Sequence, residues 1–208
     1  MMLLLDKLAR SWPQGPGQQL FIGIGGGSGS GKSTIARQLR DCLQPLSVCL
    51  INQDRFFKPP AEMPTYFSAY HGEPRPDFNR PDSLYTDAMF AHCRALSGYD
   101  VVILEGILAL YYPELRELMH LRCYVSLDFQ EMLIRRTARN LAAGYGGPYE
   151  EIAHYNLECI TPQHNRYNAP TARYADLVIP NDAALAAERE ANLAALCRLI
   201  HKVKENDG

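Results

Sequence analysis

The sequence of 208 residues has few features that would commit the protein to nucleic acid or to a membrane. Its formal net charge is −2, so no overall basic character would attract nucleic acid or an anionic membrane surface. It also has no apolar run long enough to span a bilayer, because the apolar residues 1–5 are followed by Asp6. We therefore expect no nucleic-acid partner, no membrane segment and no signal peptide.

The six cysteines do not follow a metal-binding or redox spacing. None forms a Cys-x-x-Cys pair, and most lie in apolar runs, at positions 42, 49, 93, 123, 159 and 197. We interpret them as reduced core residues of a cytoplasmic protein. Internal repeats, low-complexity tracts and the guanine-recognition signature Asn-Lys-x-Asp are also missing. The last absence disfavours a GTP-dependent switch.

The chain is long enough for one domain with a sizeable core, since 47% of its residues are hydrophobic. We expect residues 1–208 to form a single domain, with residues 1–19 as a short amphipathic helix on its flank. Assembly into a homo-oligomer is left open by the sequence.

The most specific motif present is a glycine-rich run that matches G-x-x-x-x-G-K-[ST], the phosphate-binding loop. Its residues, with the one that follows, form the predicted nucleotide-binding set: Gly26, Gly27, Ser28, Gly29, Ser30, Gly31, Lys32, Ser33 and Thr34. Glycines let the backbone wrap tightly, so that successive N–H groups point at phosphate oxygens. Lys32 can reach the β- and γ-phosphates, and the Ser33 hydroxyl can ligate Mg²⁺.

The flanks of this motif distinguish it from a flexible Gly/Ser linker. Residues 20–24 form a short apolar run typical of a buried strand, and residues 34–43 have helical spacing of apolar residues. A linker would need neither these flanks nor the Lys-Ser pair. The motif predicts binding of a nucleoside triphosphate and leaves the phosphoryl acceptor undetermined.

Acidic residues follow two further predicted strands, at residues 47–51 and 100–106. In an open α/β sheet, ligands bind beyond the carboxyl ends of the strands. Asp54 can accept a proton from an attacking hydroxyl there, although a helix cap or a surface acid explains its position equally well. Glu105 ends a buried strand, where an acid beside a phosphate loop commonly orients Mg²⁺.

Residues 58–83 are rich in proline and aromatic residues, and we expect them to lack regular structure. Tyr66, Phe67, Tyr70 and Phe78 either stack on the ring of an acceptor or pack the loop onto the protein. A helix is predicted to begin near residue 82, with Leu84, Ala88, Ala91 and Ala95 on one face.

The second half of the chain completes an α/β pattern. Strands are predicted at residues 121–127 and 175–180, and helices after Asp128, over residues 150–158 and at the C-terminus. The helix after Asp128 carries Arg135, Arg136 and Arg139, which form either a solvated basic face or a site that stabilises phosphate charge. We predict a three-layer P-loop fold with a five-stranded parallel sheet, helices on both faces and a small helical lid at about residues 128–160.

The combination of motifs from about Phe21 to about Asp182 resembles the uridine kinase/phosphoribulokinase group of P-loop kinases. The similar segments are residues 53–57 (Gln-Asp-Arg-Phe-Phe), 78–83 (Phe-Asn-Arg-Pro-Asp-Ser), 105–108 (Glu-Gly-Ile-Leu), 113–118 (Pro-Glu-Leu-Arg-Glu-Leu), 135–140 (Arg-Arg-Thr-Ala-Arg-Asn) and 170–180 (Pro-Thr-Ala-Arg-Tyr-Ala-Asp-Leu-Val-Ile-Pro). Residues 53–59 are also similar to a segment of nicotinamide riboside kinases.

The resemblance implies a kinase that uses ATP and Mg²⁺. By its motifs, Asp54 is the general base, Lys32 holds the β- and γ-phosphates, and Ser33 and Glu105 serve Mg²⁺. Phe78 lines the acceptor site, Arg136 contacts the acceptor sugar and Arg139 contacts the phosphates.

Three departures from the family pattern concern acceptor recognition. Asn79 stands where uridine kinases have the aspartate that binds the sugar hydroxyls, and residues 144–146 (Gly-Tyr-Gly) replace the two arginines of a lid motif. The base-reading hairpin that usually precedes the third strand is missing, with only residues 95–99 in its place.

We therefore expect a small-molecule kinase whose acceptor is a nucleoside. Nicotinamide riboside, pantothenate or a sugar acid is the alternative acceptor, and an ATP-binding switch without an acceptor is the alternative class. Because residues 58–81 offer aromatic faces more than polar edges, we also expect that uridine and cytidine are not discriminated from other ring-bearing nucleosides as they are by the kinases that have the hairpin. Either the enzyme is promiscuous, or its acceptor is not a pyrimidine nucleoside.

Overall fold

Seven β-strands are present in residues 19–205, the part of the chain that the computed structural model describes. They are β1 (Leu20–Gly26), β2 (Val48–Asn52), β3 (Thr65–Ser68), β4 (Glu73–Pro76), β5 (Val101–Glu105), β6 (Leu121–Ser126) and β7 (Leu177–Pro180). Five of them form a parallel sheet in the order β2-β5-β1-β6-β7, while β3 and β4 form an antiparallel hairpin. The predicted five-stranded parallel sheet is confirmed. The helix predicted over residues 1–19 lies outside the described residues, apart from its last position.

The α-helices alternate with the strands of the parallel sheet. They are α1 (Lys32–Cys42), α2 (Thr86–Ala95), α3 (Pro113–Leu118), α4 (Phe129–Ala142), α5 (Tyr149–Tyr155), α6 (Thr161–Gln163) and α7 (Ala186–Glu205). Between α5 and β7 the chain stays helical through two π-helices, Asn156–Ile160 and His164–Asn168, and a 3-10 helix, Ala169–Tyr174. Shorter 3-10 turns lie at Gln53–Phe56, Pro60–Glu62, Pro81–Ser83 and Ala183–Leu185.

Apolar residues on both faces of the central strands make this a three-layer structure. Successive strand residues point to opposite faces, so Val101 and Ile103 join the core under α1 and α7, whereas Val102 and Leu104 join the core under α2 and α3. At Gly23 of β1 the neighbouring layer packs closely against the strand. A Cβ atom at Gly23 would lie 2.2 Å from the sulfur of Met119.

The C-terminal helix α7 follows the predicted pattern. Leu196 and Ile200 are buried against the sheet, and Leu193 and Val203 are partly buried beside them. Among the described residues, 19–205, we find no helix whose length and apolar character would let it cross a membrane.

The prediction that residues 58–83 lack regular structure is wrong, because β3 and β4 lie within them. The two prolines of β4 do not prevent pairing. Alternate residues of an antiparallel strand point their N–H groups away from the partner strand, and Pro74 and Pro76 are two residues apart. A two-stranded ribbon therefore keeps its ladder with proline at both positions.

The predicted face of α2 is also wrong. The helix begins at Thr86 and buries Met89 and Cys93, whereas the three alanines of the predicted face are exposed. Leu84 is buried, but it precedes the helix. The larger apolar side chains take the buried face because they remove more apolar surface from water.

Not all six cysteines are free thiols. Cys42 at the end of α1 forms a disulfide with Cys197 in α7, while Cys93, Cys123 and Cys159 are free and buried. α1 and α7 pack side by side on one face of the sheet, which brings together two cysteines 155 residues apart in sequence. The disulfide corrects the expectation of six reduced cysteines and removes part of the reasoning for a cytoplasmic location.

Candidate active site

The glycine-rich loop connects β1 to α1, as the motif requires. Gly29 and Gly31 have φ angles of +89° and +91°, in the left-handed region that favours glycine. A Cβ atom at Gly29 would lie 2.2 Å from the carbonyl oxygen of Met132, and one at Gly31 would lie 2.2 Å from Nδ2 of Asn181. The loop is therefore packed so closely that a side chain at either position would displace it.

α1 begins directly after this loop with Lys32 and Ser33. Its first turn has no acidic residue, and its N-cap, Gly31, supplies no side-chain hydrogen bond. The positive end of the helix dipole is thus left uncompensated by the protein's own side chains, as suits an anion-binding site. Ser28, Lys32 and Ser33 all line one large cavity.

Glu105 ends β5 beside this loop and is 3% exposed. Burial raises the pKa of its carboxyl, and the nearby Lys32 ammonium and a hydrogen bond with the Ser33 hydroxyl oppose that shift. Its Oε2 atom is buried and makes no hydrogen bond within the described part of the chain. A buried carboxylate oxygen without a partner, next to a serine hydroxyl, fits Mg²⁺, which prefers oxygen ligands.

The rest of the coordination shell of such an ion would not come from a protein cluster. In residues 19–205 no group of three or more His, Cys, Asp and Glu side chains could hold a metal ion. Mg²⁺ typically keeps waters and binds one or two carboxylates together with substrate phosphates. The residues present therefore fit a magnesium–nucleotide site.

Asp54 lies in the 3-10 turn that follows β2, at the same edge of the sheet as Glu105. The alternative role as a cap is taken by Asn52, whose Oδ1 accepts the Asp54 backbone N–H at 2.7 Å. The Asp54 carboxylate is not used in this cap, and the residue lines the same cavity as Lys32. A carboxylate and the phosphate loop thus face a common space.

This cavity has a volume of about 420 Å³. The residues that the sequence assigns to the acceptor, Phe78, Asn79 and Arg136, line it together with Arg139. Aromatic rings form much of its wall: Phe78 packs edge-on against Phe57 at 5.5 Å between ring centroids. The nucleotide and acceptor candidates therefore belong to one site.

Only two of the four aromatic residues of the loop prediction line the cavity. Tyr66 and Phe78 line the cavity, and the Tyr66 ring is 5.7 Å from that of Tyr155. Phe67 is 68% exposed, and Tyr70 stacks on His154 with 3.9 Å between ring centroids. Stacking on an acceptor is therefore open to the first pair, whereas Tyr70 packs the hairpin onto α5.

The three arginines of α4 differ in exposure: Arg136 is buried, Arg135 is partly exposed and Arg139 is exposed. Arg136 is 7% exposed, donates a hydrogen bond to Asn156 and lies 5.2 Å from the centre of the Tyr155 ring. Burial lowers the pKa of its guanidinium. Arg139 donates to Oδ1 of Asn140 and also lines the cavity, whereas Arg135 pairs with Glu131.

Tyr155 lines the cavity and Asp77 supports Asn79 from behind, and the sequence predicted neither role. The Tyr155 hydroxyl oxygen accepts a hydrogen bond from Nδ2 of Asn79 at 3.0 Å. The Asp77 carboxylate is fully buried, and it accepts from the backbone N–H of Asn79 at 2.8 Å and from Nε2 of Gln163 at 2.6 Å. An acid between Pro76 and Phe78 in a proline-rich stretch is the only sequence signal for this role.

The comparisons with known proteins are consistent with the geometry of this site. A family model described as the phosphoribulokinase/uridine kinase family matches residues 61–185. The chain is 28% identical over 211 residues to uridine kinase of Clostridium perfringens (strain SM101 / Type A), with 89% of this chain and 95% of the relative covered. It is 30% identical over 186 residues to uridine kinase of Geobacillus sp. (strain WCH70), with 77% and 85% covered.

A solved structure of shikimate kinase from Acinetobacter baumannii has a similar fold. It is 16% identical and has a TM-score of 0.52, with 88% of this chain and 94% of that chain covered. At this identity the likeness supports the three-layer fold and not an acceptor.

Proposed function

Because this chain belongs to the phosphoribulokinase/uridine kinase family, we propose that it transfers the γ-phosphoryl group of ATP to a hydroxyl of a small molecule, with a nucleoside as the leading acceptor. One observation carries the proposal: Lys32 of the phosphate loop and the carboxylate of Asp54 line the same cavity as Phe78 and Arg136. A donor site and an acceptor site that share one cavity are what phosphoryl transfer requires.

Asp54 is the general base of the proposed reaction. Its carboxylate accepts the proton of the acceptor hydroxyl while that oxygen bonds to the γ-phosphorus, and the bond from this phosphorus to the bridging oxygen breaks to release ADP. Lys32 and the loop N–H groups stabilise the negative charge on the phosphoryl oxygens. Ser33 and Glu105 would hold Mg²⁺, which would supply positive charge to neutralise the phosphates of the nucleotide.

The acceptor is oriented by the opposite wall. Arg136 and Asn79 offer hydrogen bonds to sugar hydroxyls, and Phe78 gives a flat apolar surface. Arg139 belongs with the phosphates, and residues 128–160, which carry both arginines, act as the lid. The relatives are named uridine kinases, so uridine is the first acceptor to test.

The test is a panel of acceptors at one concentration of ATP and Mg²⁺, read by formation of ADP. Uridine, cytidine, a purine nucleoside, nicotinamide riboside, pantothenate and a sugar acid are compared with a reaction without acceptor. We expect ADP formation that depends on a nucleoside and is lost in Asp54→Asn. Transfer to pantothenate or a sugar acid alone would leave a kinase with another acceptor class. Equal slow hydrolysis in every reaction would indicate an ATP-binding switch.

A further inference from the structure

The β3–β4 hairpin, Thr65–Pro76, supplies a wall of the cavity that the sequence did not predict. Tyr66 and Arg75 are directly opposite in its register and therefore point to the same face. Both line the cavity, as do Ser68 and His71. Phe67 lies between Tyr66 and Ser68 and so points to the other face, where it is 68% exposed.

The hairpin is fixed to the helical segment that contains Glu151 and Glu158. The Ser68 hydroxyl donates to Oε2 of Glu158 at 2.6 Å, and the Tyr70 backbone N–H donates to Oε1 of the same carboxylate at 3.0 Å. His71 Nε2 lies 2.8 Å from Oε2 of Glu151. These contacts hold the hairpin on α5 and the π-helix Asn156–Ile160.

The polar groups of this wall retain capacity to bind a ligand. In the described residues, Arg75 uses only Nη1, in a contact with Glu73 at 3.2 Å. His71 contacts one oxygen of Glu151, and no hydrogen bond within residues 19–205 reaches the other oxygen, Oε1. The hairpin therefore offers a charged donor, Arg75, and α5 offers a charged acceptor, Glu151, and both residues line the cavity.

No hairpin occupies the position where the resemblance places the base-reading element. Between the end of α2 and the start of β5, residues 96–100 contain neither strand nor helix. An aromatic cavity without polar side chains that hydrogen-bond the edge of a bound ring would accept many flat rings. Arg75 of the β3–β4 hairpin adds a polar group of this kind beside the aromatic wall of Tyr66, Phe78 and Tyr155.

We propose that the β3–β4 hairpin is the specificity element of this kinase, and that Arg75 and Glu151 read the amide-like edge of a planar ring carried by the acceptor alcohol. Arg75 donates to a ring or carboxamide oxygen, Glu151 accepts from the neighbouring N–H, and His71 holds Glu151 in place. A site that hydrogen-bonds a ring edge rejects analogues without it, because its own polar groups are then left unpaired. Discrimination among rings is therefore strong, contrary to the expectation from an aromatic loop.

This inference rests on the proposed function, and its test compares pairs of acceptors that differ only at the ring edge. One pair is uridine and pyrimidin-2-one riboside, which lacks the 4-oxo group and the ring N–H. The other is nicotinamide riboside and pyridinium riboside, which lacks the carboxamide. kcat/KM is measured for the wild type, Arg75→Met, Glu151→Gln and the outer-face control Phe67→Thr, with KM for ATP as the readout of an intact donor site.

We expect the wild type to prefer one amide-bearing acceptor over its partner, and Arg75→Met and Glu151→Gln to reduce that preference by roughly tenfold or more. KM for ATP should stay unchanged in both, and Phe67→Thr should retain the preference. Arg75→Gln, which keeps a neutral donor, should recover part of it and serves as a second variant if Arg75→Met folds poorly.

Two results would overturn the inference in different ways. An unchanged preference in Arg75→Met and Glu151→Gln, with an active wild type, would reject the hairpin as specificity element and leave the kinase assignment intact. A wild type that binds ATP but phosphorylates no acceptor would reject the proposed function, and the inference with it. Rejection of the hairpin requires measurements on the variants, whereas rejection of the proposed function requires only the wild type.

Discussion

Among the proposed nucleotide-binding residues, we expect Lys32 to contribute most directly, because it lies at the junction of the glycine loop and α1 and lines the cavity. Lys32→Ala removes a positive charge from a site where negative charge develops in the transition state. We expect kcat/KM for the best acceptor to fall by roughly a hundredfold or more. Lys202→Ala, at an exposed position of α7, is the matched control and should retain full activity. Near-normal turnover of Lys32→Ala would show that the phosphate-loop assignment is wrong.

Asp54 and Glu105 lie at the same edge of the sheet, but we expect substitutions at these two positions to have different kinetic effects. Asp54→Asn removes the base for the acceptor proton, so we expect a lower kcat with KM for ATP preserved. Glu105→Gln weakens an oxygen ligand, so the Mg²⁺ concentration for half-maximal activity should rise by roughly tenfold or more. Steady-state kinetics under Mg²⁺ titration separate the two effects. If both variants change only the affinity for ATP, the assignment of the base is contradicted.

The positions of Lys32 and Asp54 at one cavity could be predicted from the sequence, because a fixed motif and a strand end specify them. Asp77 and Tyr155 could not, since their roles come from contacts between segments distant in the chain. Asp77 reaches Gln163 from 86 residues away, and Tyr155 receives its hydrogen bond from Asn79, 76 residues away. No local spacing encodes such pairs.

At the scale of elements, long apolar runs were sufficient to predict the parallel strands. The runs at residues 100–106 and 121–127 became β5 and β6 to within one residue at each end. The β3–β4 hairpin has only four residues per strand, and β4 contains two prolines, which are uncommon within strands. The sequence pattern therefore did not predict these strands. The hairpin is held by tertiary contacts that sequence periodicity does not encode: His71 contacts Glu151 of α5, and Ser68 donates to Glu158 of the following π-helix.

The junction of β1 and β6 contains a histidine whose charge state should affect stability. The His120 backbone N–H donates to the carbonyl oxygen of Phe21 at 2.9 Å, and the Phe21 N–H donates to His120 Nδ1 at 3.0 Å. Burial lowers the pKa of His120 from its ordinary value near 6.5. The unfolded chain therefore takes up this proton at a higher pH than the folded chain, and protonation favours unfolding.

The stability contributed by neutral His120 is complete above about pH 6.5, and it is lost as the pH falls toward the lower folded-state pKa. We expect the free energy of unfolding, measured in urea, to decrease more between pH 8 and pH 5 in the wild type than in His120→Asn. The asparagine can still accept the Phe21 N–H but does not titrate. His164, whose pKa burial also lowers, is present in both proteins and cancels in the comparison. Parallel pH profiles would argue against this role.

At the scale of the whole molecule, the last strand and the last helix complete the phosphate loop. Asn181, just after β7, donates from Nδ2 to the carbonyl oxygen of Ser30 at 2.7 Å, across 151 residues of sequence. Arg189 of α7 donates to Oδ1 of Asn181 at 2.8 Å, and Arg135 of α4 donates to its backbone carbonyl at 3.3 Å. Three separate elements thus meet behind the loop that holds the nucleotide.

This convergence predicts that a residue far from the motif in sequence controls nucleotide affinity. Asn181→Asp replaces the donating amide by a carboxylate oxygen that faces the Ser30 carbonyl, and the two oxygens repel each other. The loop must shift to relieve this contact, and Gly31 has no free space because Asn181 already lies against it. We expect KM for ATP to rise by roughly tenfold, the scale of the loss of one hydrogen bond that becomes a repulsive contact.

KM for the acceptor serves as the internal control for the Asn181→Asp experiment. Because Asn181 does not line the cavity, KM for the acceptor should change less than KM for ATP in Asn181→Asp. Glu188→Gln, an exposed neighbour on α7, controls for the change in charge near this end of the helix. An Asn181→Asp enzyme with unchanged KM for ATP would mean that the loop holds its shape by itself. In that case the contact with β7 and α7 would serve stability alone, and a lower unfolding temperature would be its only effect.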